Sequence, residues 1–432
     1  MMGDAPVVAV TTRPQPLPLS RNRNYNVLWS SLLLSELANE IVFVAFPLLV
    51  LATSGSALRI GLVSSVLAVT RMAANLPAGV VADRWDRRKV LLLCQFVRAG
   101  AVASIAVTIT VGGYSFTQLL VVAAIEGMFS SAFEPAEHAT LPQVVPRSQL
   151  SQAVARNSAR PFVALLLGPA LAGFTFAVHE VLPFSIDAGM LAVSFVALSL
   201  LRVPRRQPPA SVSVSVSDDR PATVGAAAGI RTVLRRPVIR ATLVWMVAVN
   251  LAFNAIVVIV LAVSGENRVG ATQIGLMMAC LGAGGLLGGI LAARLHAALP
   301  APLILIGGSW LIATTTTLMV LVPGGGLPFG ALLGASAFFA PVATTTVMTY
   351  QMMSTPAELR GRLSGVVGTC SAAAASLGPM IGGFLVERTS HDSTSILVCA
   401  AGLGVVAVGT TLSPTMRHFP SVRDLADEPT DQ

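Results

Sequence analysis

Charge is what this sequence has least of. Asp, Glu, Lys and Arg make up only 11% of its 432 residues, where a soluble domain carries about 25%. That scarcity excludes an ordinary water-soluble enzyme. It equally excludes a disordered chain, which needs low hydrophobicity and high charge. Cysteine is scarce too. Cys94, Cys280, Cys370 and Cys399 all fall inside apolar runs, where they read as small buried residues with neither ligand spacing nor a disulfide framework. The histidines His138, His179, His296, His391 and His418 share no metal-ligand spacing. No Walker motif is present, which argues against ATP as the energy source. Clustered His, Asp or Ser groups near a membrane interface, as a lipid-modifying enzyme would need, are missing as well. The expectation is a protein that is not an enzyme and holds no metal or cofactor. Residues 1–24 carry Pro14, Pro16, Pro18, Arg21 and Arg23 but no apolar core, so they do not read as a signal peptide.

Hydrophobic residues, by contrast, make up 54% of the chain. They are gathered in twelve runs, at about 27–50, 59–81, 90–112, 116–138, 158–178, 183–202, 239–263, 271–293, 301–322, 327–353, 363–386 and 393–413. Each is near the roughly 20 apolar residues that carry a helix across a bilayer. The expected fold is therefore all-α and membrane-embedded, with twelve transmembrane helices. The basic residues give its orientation. With the N-terminus on the cytoplasmic side, 23 of the 28 Lys and Arg lie in cytoplasmic segments, and only Arg59, Arg268 and Arg388 lie opposite. Both termini are thus expected in the cytoplasm, in the plasma (inner) membrane of a bacterium. The formal charge of +8 is accounted for by this collar, so nucleic acid is not an expected partner.

The longest interruption, 203–238, holds Pro204, Pro208, Pro209, a low-complexity run from Ser211 to Ser217 and six Arg. It reads as a flexible linker. The chain divides accordingly into a tail at 1–26, a six-helix bundle at 27–202, the linker at 203–238, a second bundle at 239–413 and a tail at 414–432. The bundles look duplicated. Phe133-Glu-Pro135 matches Phe339-Ala-Pro341 at an offset of 206, and Gly168-Pro169-Ala-Leu-Ala172-Gly173 matches Gly378-Pro379-Met-Ile-Gly382-Gly383 at 210. Pro146 and Pro356 are also 210 apart. Two parallel six-helix repeats suit a transporter that binds its substrate at mid-membrane between them.

The segment after the second run reads Gly79-Val-Val-Ala-Asp83-Arg84-Trp-Asp86-Arg87-Arg88-Lys89. It resembles the signature loop of the major facilitator superfamily in composition and in its place between spans two and three. That resemblance implies a gate, with Asp83 meeting the start of span eleven near Arg360-Gly361-Arg362 while Gly79, Arg84, Arg87 and Arg88 complete the loop. Gly168-Pro169-Ala-Leu-Ala172-Gly173 is similar to the superfamily's antiporter motif in span five. Phe133-Glu-Pro135, Pro142, Pro146 and Asn157, together with Arg23-Asn24, Gly55-Ser56 and Pro183-Phe184-Ser-Ile-Asp187-Ala188, resemble the enterobactin-exporter and macrolide-efflux branch. In that branch a Gly-Asp pair is common in span one, where this chain has Ala38-Asn39 followed by Glu40. The resemblance further implies a cavity lined by spans one, four, seven and ten, with Phe43, Phe46, Phe129, Asn250, Asn254, Phe338, Thr345 and Met348 as candidates.

Charges inside the apolar runs are costly in a bilayer and mark function by default. Glu36, Glu40, Arg71, Arg98 and Glu126 lie about 12–20 Å deep from the cytoplasmic ends of their spans, at 1.5 Å per residue. They form one layer in the first half, and the second half has no comparable charge. Burial penalises a charged carboxyl and a neighbouring Arg favours it, so proton, Arg and substrate can compete for one acid. Glu40 or Glu126 would carry the proton, with Glu36 a further candidate, and Arg71 would tune it. A permanent Glu–Arg bridge is the other reading, and it is the preferred one for Arg98. The function expected is a proton-coupled antiporter, a monomer in the lipid bilayer, that exports a small amphipathic molecule such as a drug, a macrolide-like product or a siderophore. A proton-driven importer and a non-transporting membrane sensor are the alternatives.

Overall fold

The computed structural model describes residues 19–146, 149–158, 160–201, 237–322, 324–355, 357–389, 392–417 and 419. Most of the linker and of both tails expected from the sequence lies outside these; the last two linker residues, Pro237 and Val238, instead open the helix Pro237–Glu266. Among the described residues are twelve helices long and apolar enough to cross a membrane. They are α1 (Arg23–Thr53), α2 (Ala57–Arg84), α3 (Arg87–Thr110), α4 (Phe116–Val144), α5 (Arg160–Val178) and α6 (Leu182–Ser199), then α7 (Pro237–Glu266), α8 (Ala271–Ala298), α9 (Ala301–Leu318), α10 (Leu327–Met353), α11 (Ala357–Arg388) and α12 (Asp392–Leu412). Several run past the apolar stretches that betray them, because caps rather than hydropathy set their ends. Asn22 caps α1 by accepting from the Tyr25 N–H at 3.1 Å, so the helix starts within polar sequence. Asp86 caps α3 by accepting from the Arg88 N–H at 3.0 Å. Gly55 turns the chain from α1 into α2 at φ +62°, a backbone region that glycine enters without strain.

Helix pairing repeats between the halves. In the first, α1 packs on α5 and α6, α2 on α4, and α3 on α4 and α6. In the second, α7 packs on α11 and α12, α8 on α10, and α9 on α10 and α12. Each second-half pair is its first-half counterpart moved on by six helices. The halves meet through two further equivalent pairs, α2 with α11 and α5 with α8. This is the two-bundle, pseudo-two-fold architecture expected from the duplicated motifs.

The two ends of the molecule differ. One end, here the tail end, carries the start of α1 and the finish of α12. At the opposite, far end a single apolar core runs through both halves, from Ile41, Phe46, Val50 and Ile60 to Ala255–Val263, Ile274 and Phe329. At the tail end the core splits. Tyr25, Leu28, Leu91, Phe133 and Leu198 form a cluster of first-half residues, and Ile239, Leu305, Val347, Tyr350 and Leu363 form a cluster of second-half residues. The halves are therefore fastened at the far end and separate toward the tail end.

Glycine makes the fastening possible. A Cβ at Gly61 of α2 would lie 2.5 Å from the Pro379 carbonyl oxygen and 3.3 Å from Gly383 Cα of α11. A Cβ at Gly275 of α8 would lie 2.6 Å from the Pro169 oxygen and 2.7 Å from Gly173 Cα of α5. The repeated Gly-Pro segments thus serve as two symmetric, backbone-close crossings between the halves.

Candidate functional site

A cavity of about 200 Å³ lies between the halves at mid-span. Phe43 and Pro47 of α1, Arg71, Met72 and Asn75 of α2, Asn254 and Leu261 of α7, and Ala372 and Pro379 of α11 are among its lining residues. The lining is mostly apolar, with one cation, two amides and the hydroxyl of Ser64. Helices two and eleven therefore stand where helices four and ten were expected. They cross at the far end, and their small residues Ala68, Ala372 and Ala375 border the gap.

The other expected cavity residues are dispersed. Asn250 lies one turn before Asn254, and its Nδ2 donates to the Met246 carbonyl at 2.9 Å. Phe46 is fully buried against Phe184 of α6, with ring centroids 6.2 Å apart, and so is packing rather than lining. Phe129 joins the first-half cluster at the tail end. Phe338 sits beside Phe339, ring centroids 6.2 Å apart. Thr345 borders a different cavity together with His296, and Met348 is exposed.

The five charges expected in one layer separate into two groups. The first reaches the cavity through Arg71. Arg71 donates through Nη2 to the Asn39 side-chain oxygen of α1 and, at 3.4 Å, to Ser130 Oγ of α4. Glu40 lies within electrostatic reach of Arg71 and Glu36. Glu36 pairs with Arg160 at the start of α5, Oε1 to Nη2 2.9 Å. Ser131 donates to the side-chain oxygen of Asn75, which extends this polar seam along α2 and α4.

The second group is sealed inside the first half. Arg98 of α3 donates through Nε to Glu126 Oε2 of α4 at 2.8 Å, both side chains 1% exposed. Its Nη1 donates to Ser35 Oγ of α1 at 2.8 Å. Asp187 of α6 is fully buried within electrostatic reach of both partners. Gln95 of α3 donates to Ser194 Oγ at 2.8 Å, and Ser194 donates to the Ser31 carbonyl at 3.0 Å. This group ties α1, α3, α4 and α6 together.

Sequence reasoning passed over Asp187 as an intramembrane charge. It stands five residues into its helix, close enough to the end to read as interfacial, and it entered only within the Pro183–Ala188 motif. The signal present was an acid followed by an otherwise uncharged apolar run to Ser199.

The gating residues are placed in part. Gly79, Asp83 and Arg84 close α2, but their side chains and that of Arg362 lie outside the described residues. Arg88 donates to the Ser199 carbonyl at the end of α6, so it braces the first half. Arg87 begins α3. Arg360 Nε donates to the Thr355 carbonyl at 3.1 Å. In the antiporter motif, Gly168 is pressed against Glu40 of α1, Ala172 is buried, and Gly173 meets α8. Their counterparts Gly378 and Gly382 meet α7, and Gly383 meets α2.

The chain matches the family model of the Major Facilitator Superfamily over residues 28–379. It is 27% identical over 401 residues to the multidrug efflux pump Tap of Mycolicibacterium fortuitum, covering 90% of this chain and 95% of that one. It is 24% identical over 373 residues to the enterobactin exporter EntS of Salmonella choleraesuis (strain SC-B67), covering 85% and 86% respectively. Among solved structures, the nucleoside transporter NupG superposes with a TM-score of 0.70 at 13% identity, over 92% of this chain and 100% of that one. A bacterial homolog of the human lysosomal transporter Spinster gives 0.61 at 16%, over 94% and 97%.

Proposed function

Because the chain belongs to the Major Facilitator Superfamily, a family of transporters, we propose that it is a proton-coupled antiporter exporting a small amphipathic organic molecule. The observation that carries this reading is the cavity between halves that are joined at one end and parted at the other. Its apolar walls suit a hydrophobic body, and Arg71, Asn75 and Asn254 supply the few polar contacts that orient a ligand. Export is favoured because relatives matching most of the chain bear the names of a multidrug efflux pump and an enterobactin exporter.

The mechanism follows from the charge group around Arg71 and Glu40. Substrate enters from the open tail end, which the basic collar assigns to the cytoplasm. A cationic or polar group on it competes with Arg71 and the proton for Glu40. The halves then rock about the mid-span site, the far-end glycine crossings part, and the tail end closes with the loop around Asp83. Release outward lets Glu40 take up a proton for the return. The protein works in this reading as a monomer in a bacterial plasma membrane, with both termini cytoplasmic.

Purified protein in liposomes with an imposed pH gradient tests this. Ethidium, erythromycin and a catecholate siderophore are the probes. One of them should move against the proton gradient, and nigericin should abolish that movement. Movement of solute together with protons would replace the reading with import, and binding without flux would replace it with a sensor.

A further inference from the structure

The Arg98–Glu126 pair is usually the kind of contact that holds a bundle together and does nothing else. Three features of its surroundings point beyond that role. First, Asp187 is 0% exposed, and neither of its carboxylate oxygens has a hydrogen-bond partner within the protein. Second, Glu126 Oε1 and Arg98 Nη2 are likewise buried and unpartnered, so Arg98 uses two of its three nitrogens and leaves the third without an acceptor. Third, the charges do not cancel. One guanidinium faces two carboxyls, and with both ionised a buried negative charge is left over. A buried charge without a counter-charge is expensive in any low-dielectric interior, and neutralisation by a proton is the usual resolution.

Among the described residues, the charges that act on Asp187 are those of Glu126 and Arg98. α2, which packs on α4, keeps Arg71 with Asn39 and Ser130; Arg87, Arg88 and Lys89 stand at the tail-end start of α3; and the Cys94 thiol lies one turn before Arg98. α3 contributes Arg98, and α4 contributes Glu126. α1 offers the hydroxyl of Ser35 at this level, while its acids Glu36 and Glu40 lie with Arg160 and Arg71. The one charged residue of α5, Arg160, stands at its tail-end start and pairs with Glu36. Asp187 and Glu126 must therefore share Arg98.

We infer that Asp187, Glu126 and Arg98 form a second, sealed proton-binding site, in which one exchangeable proton is held between the two carboxyls. Proton uptake converts one carboxylate to a carboxylic acid and brings the site from a net charge of minus one to zero. Asp187 stands about 8 Å from the far end of α6 and Glu126 about 15 Å from the far end of α4, at 1.5 Å per residue, so the pair forms a ladder inward from the far side. The site reaches the cavity through α1. Ser35 holds Arg98, and Glu36, Asn39 and Glu40 continue the same helix to the cavity group. A proton here loosens the hold of the acids on Arg98, and Arg98 is tied to the helix that bears Glu40. As a coupling device this rests on the antiport reading above; as a proton site it does not.

The test needs no substrate. Infrared pH-difference spectra of the purified full chain in detergent should show a protonated-carboxyl C=O band. That band should shift in Asp187→Glu and disappear or shift in Asp187→Asn. A band unchanged in both variants overturns the site. If Asp187→Asn does not fold, Asp187→Glu decides alone, and an unshifted band there overturns the proposal. The pH-gradient flux assay on the wild type is run in parallel. A band that responds to Asp187 with no proton-driven flux leaves the site standing and removes the antiport reading. Proton-driven flux with a band indifferent to Asp187 does the reverse.

Discussion

Glu40 and Asn254 occupy equivalent places in the two halves. A Cβ at Gly168 would touch Glu40 Cβ at 2.4 Å, and a Cβ at Gly378 would touch Asn254 Cβ at 2.8 Å. Those glycines open the two matching Gly-Pro segments. The duplication has thus put a carboxyl on α1 where α7 carries an amide one methylene shorter. Only one of the two can exchange a proton. At this pair the molecule is symmetric in its packing and asymmetric in its titratable chemistry, so in the antiport reading proposed above proton exchange belongs to the first half.

Removing that one titratable group should separate proton coupling from binding. Glu40→Gln keeps the shape and loses the exchangeable charge. We expect pH-gradient-driven ethidium efflux from liposomes to fall by tenfold or more, equivalent to ~1.4 kcal/mol or more of coupling free energy. Asn254→Ala should instead weaken ethidium binding and leave the dependence on the pH gradient in place. Flux measured against external pH checks both.

The glycine crossings predict a conformational phenotype. Gly275→Val places a branched side chain where a single Cβ already lies 2.6 Å from the Pro169 carbonyl oxygen. That neighbour is backbone and cannot rotate away, so α5 and α8 must separate at the far end. Spin labels at Val111→Cys and Leu321→Cys, both strongly exposed far-end positions in different halves, should report a longer distance in the valine variant. Unchanged distances would show that the crossing tolerates bulk and does not fasten the halves.

Orientation is checked by fusion. Green fluorescent protein placed after Gln432 should fluoresce in intact bacterial cells, because it folds in the cytoplasm. Alkaline phosphatase inserted at Gly324, in the far-end turn before α10, should be active. The opposite pattern would reverse the direction assigned to transport.

Most of the fold was legible because membrane helices announce themselves locally. Each needs about 20 apolar residues whatever it packs against, and the duplicated Gly-Pro segments carried the pseudo-symmetry. The site was legible only in part. Glu36, Glu40, Arg71, Arg98 and Glu126 stood out by rarity, and depth along each helix placed them in one layer. Depth alone does not give rotation about the helix axis. Arg71 and Arg98 lie at similar depth, yet one borders the cavity and the other is sealed inside the first half. Phe43 and Phe46 show the same limit. Three residues apart on α1, they part company, Phe43 to the cavity and Phe46 to the ring of Phe184.

The sealed group makes an asymmetric stability prediction. Arg98→Met leaves two buried carboxyls with no cation, and loss of one partner from a buried ion pair costs about 3–5 kcal/mol. Glu126→Gln is different. It retains an acceptor for Arg98 Nε and leaves Asp187 to balance the guanidinium, so the cluster stays neutral. The arginine variant should therefore melt well below the wild type in detergent, and the glutamine variant should lose much less. If Asp187 took no part, Glu126→Gln would strand an unpaired guanidinium, and the two variants would be destabilised alike. Adding Asp187→Asn to Arg98→Met removes one of the stranded acids and should recover part of the lost stability. Thermal unfolding of the three variants beside the wild type reads out the sign of each step.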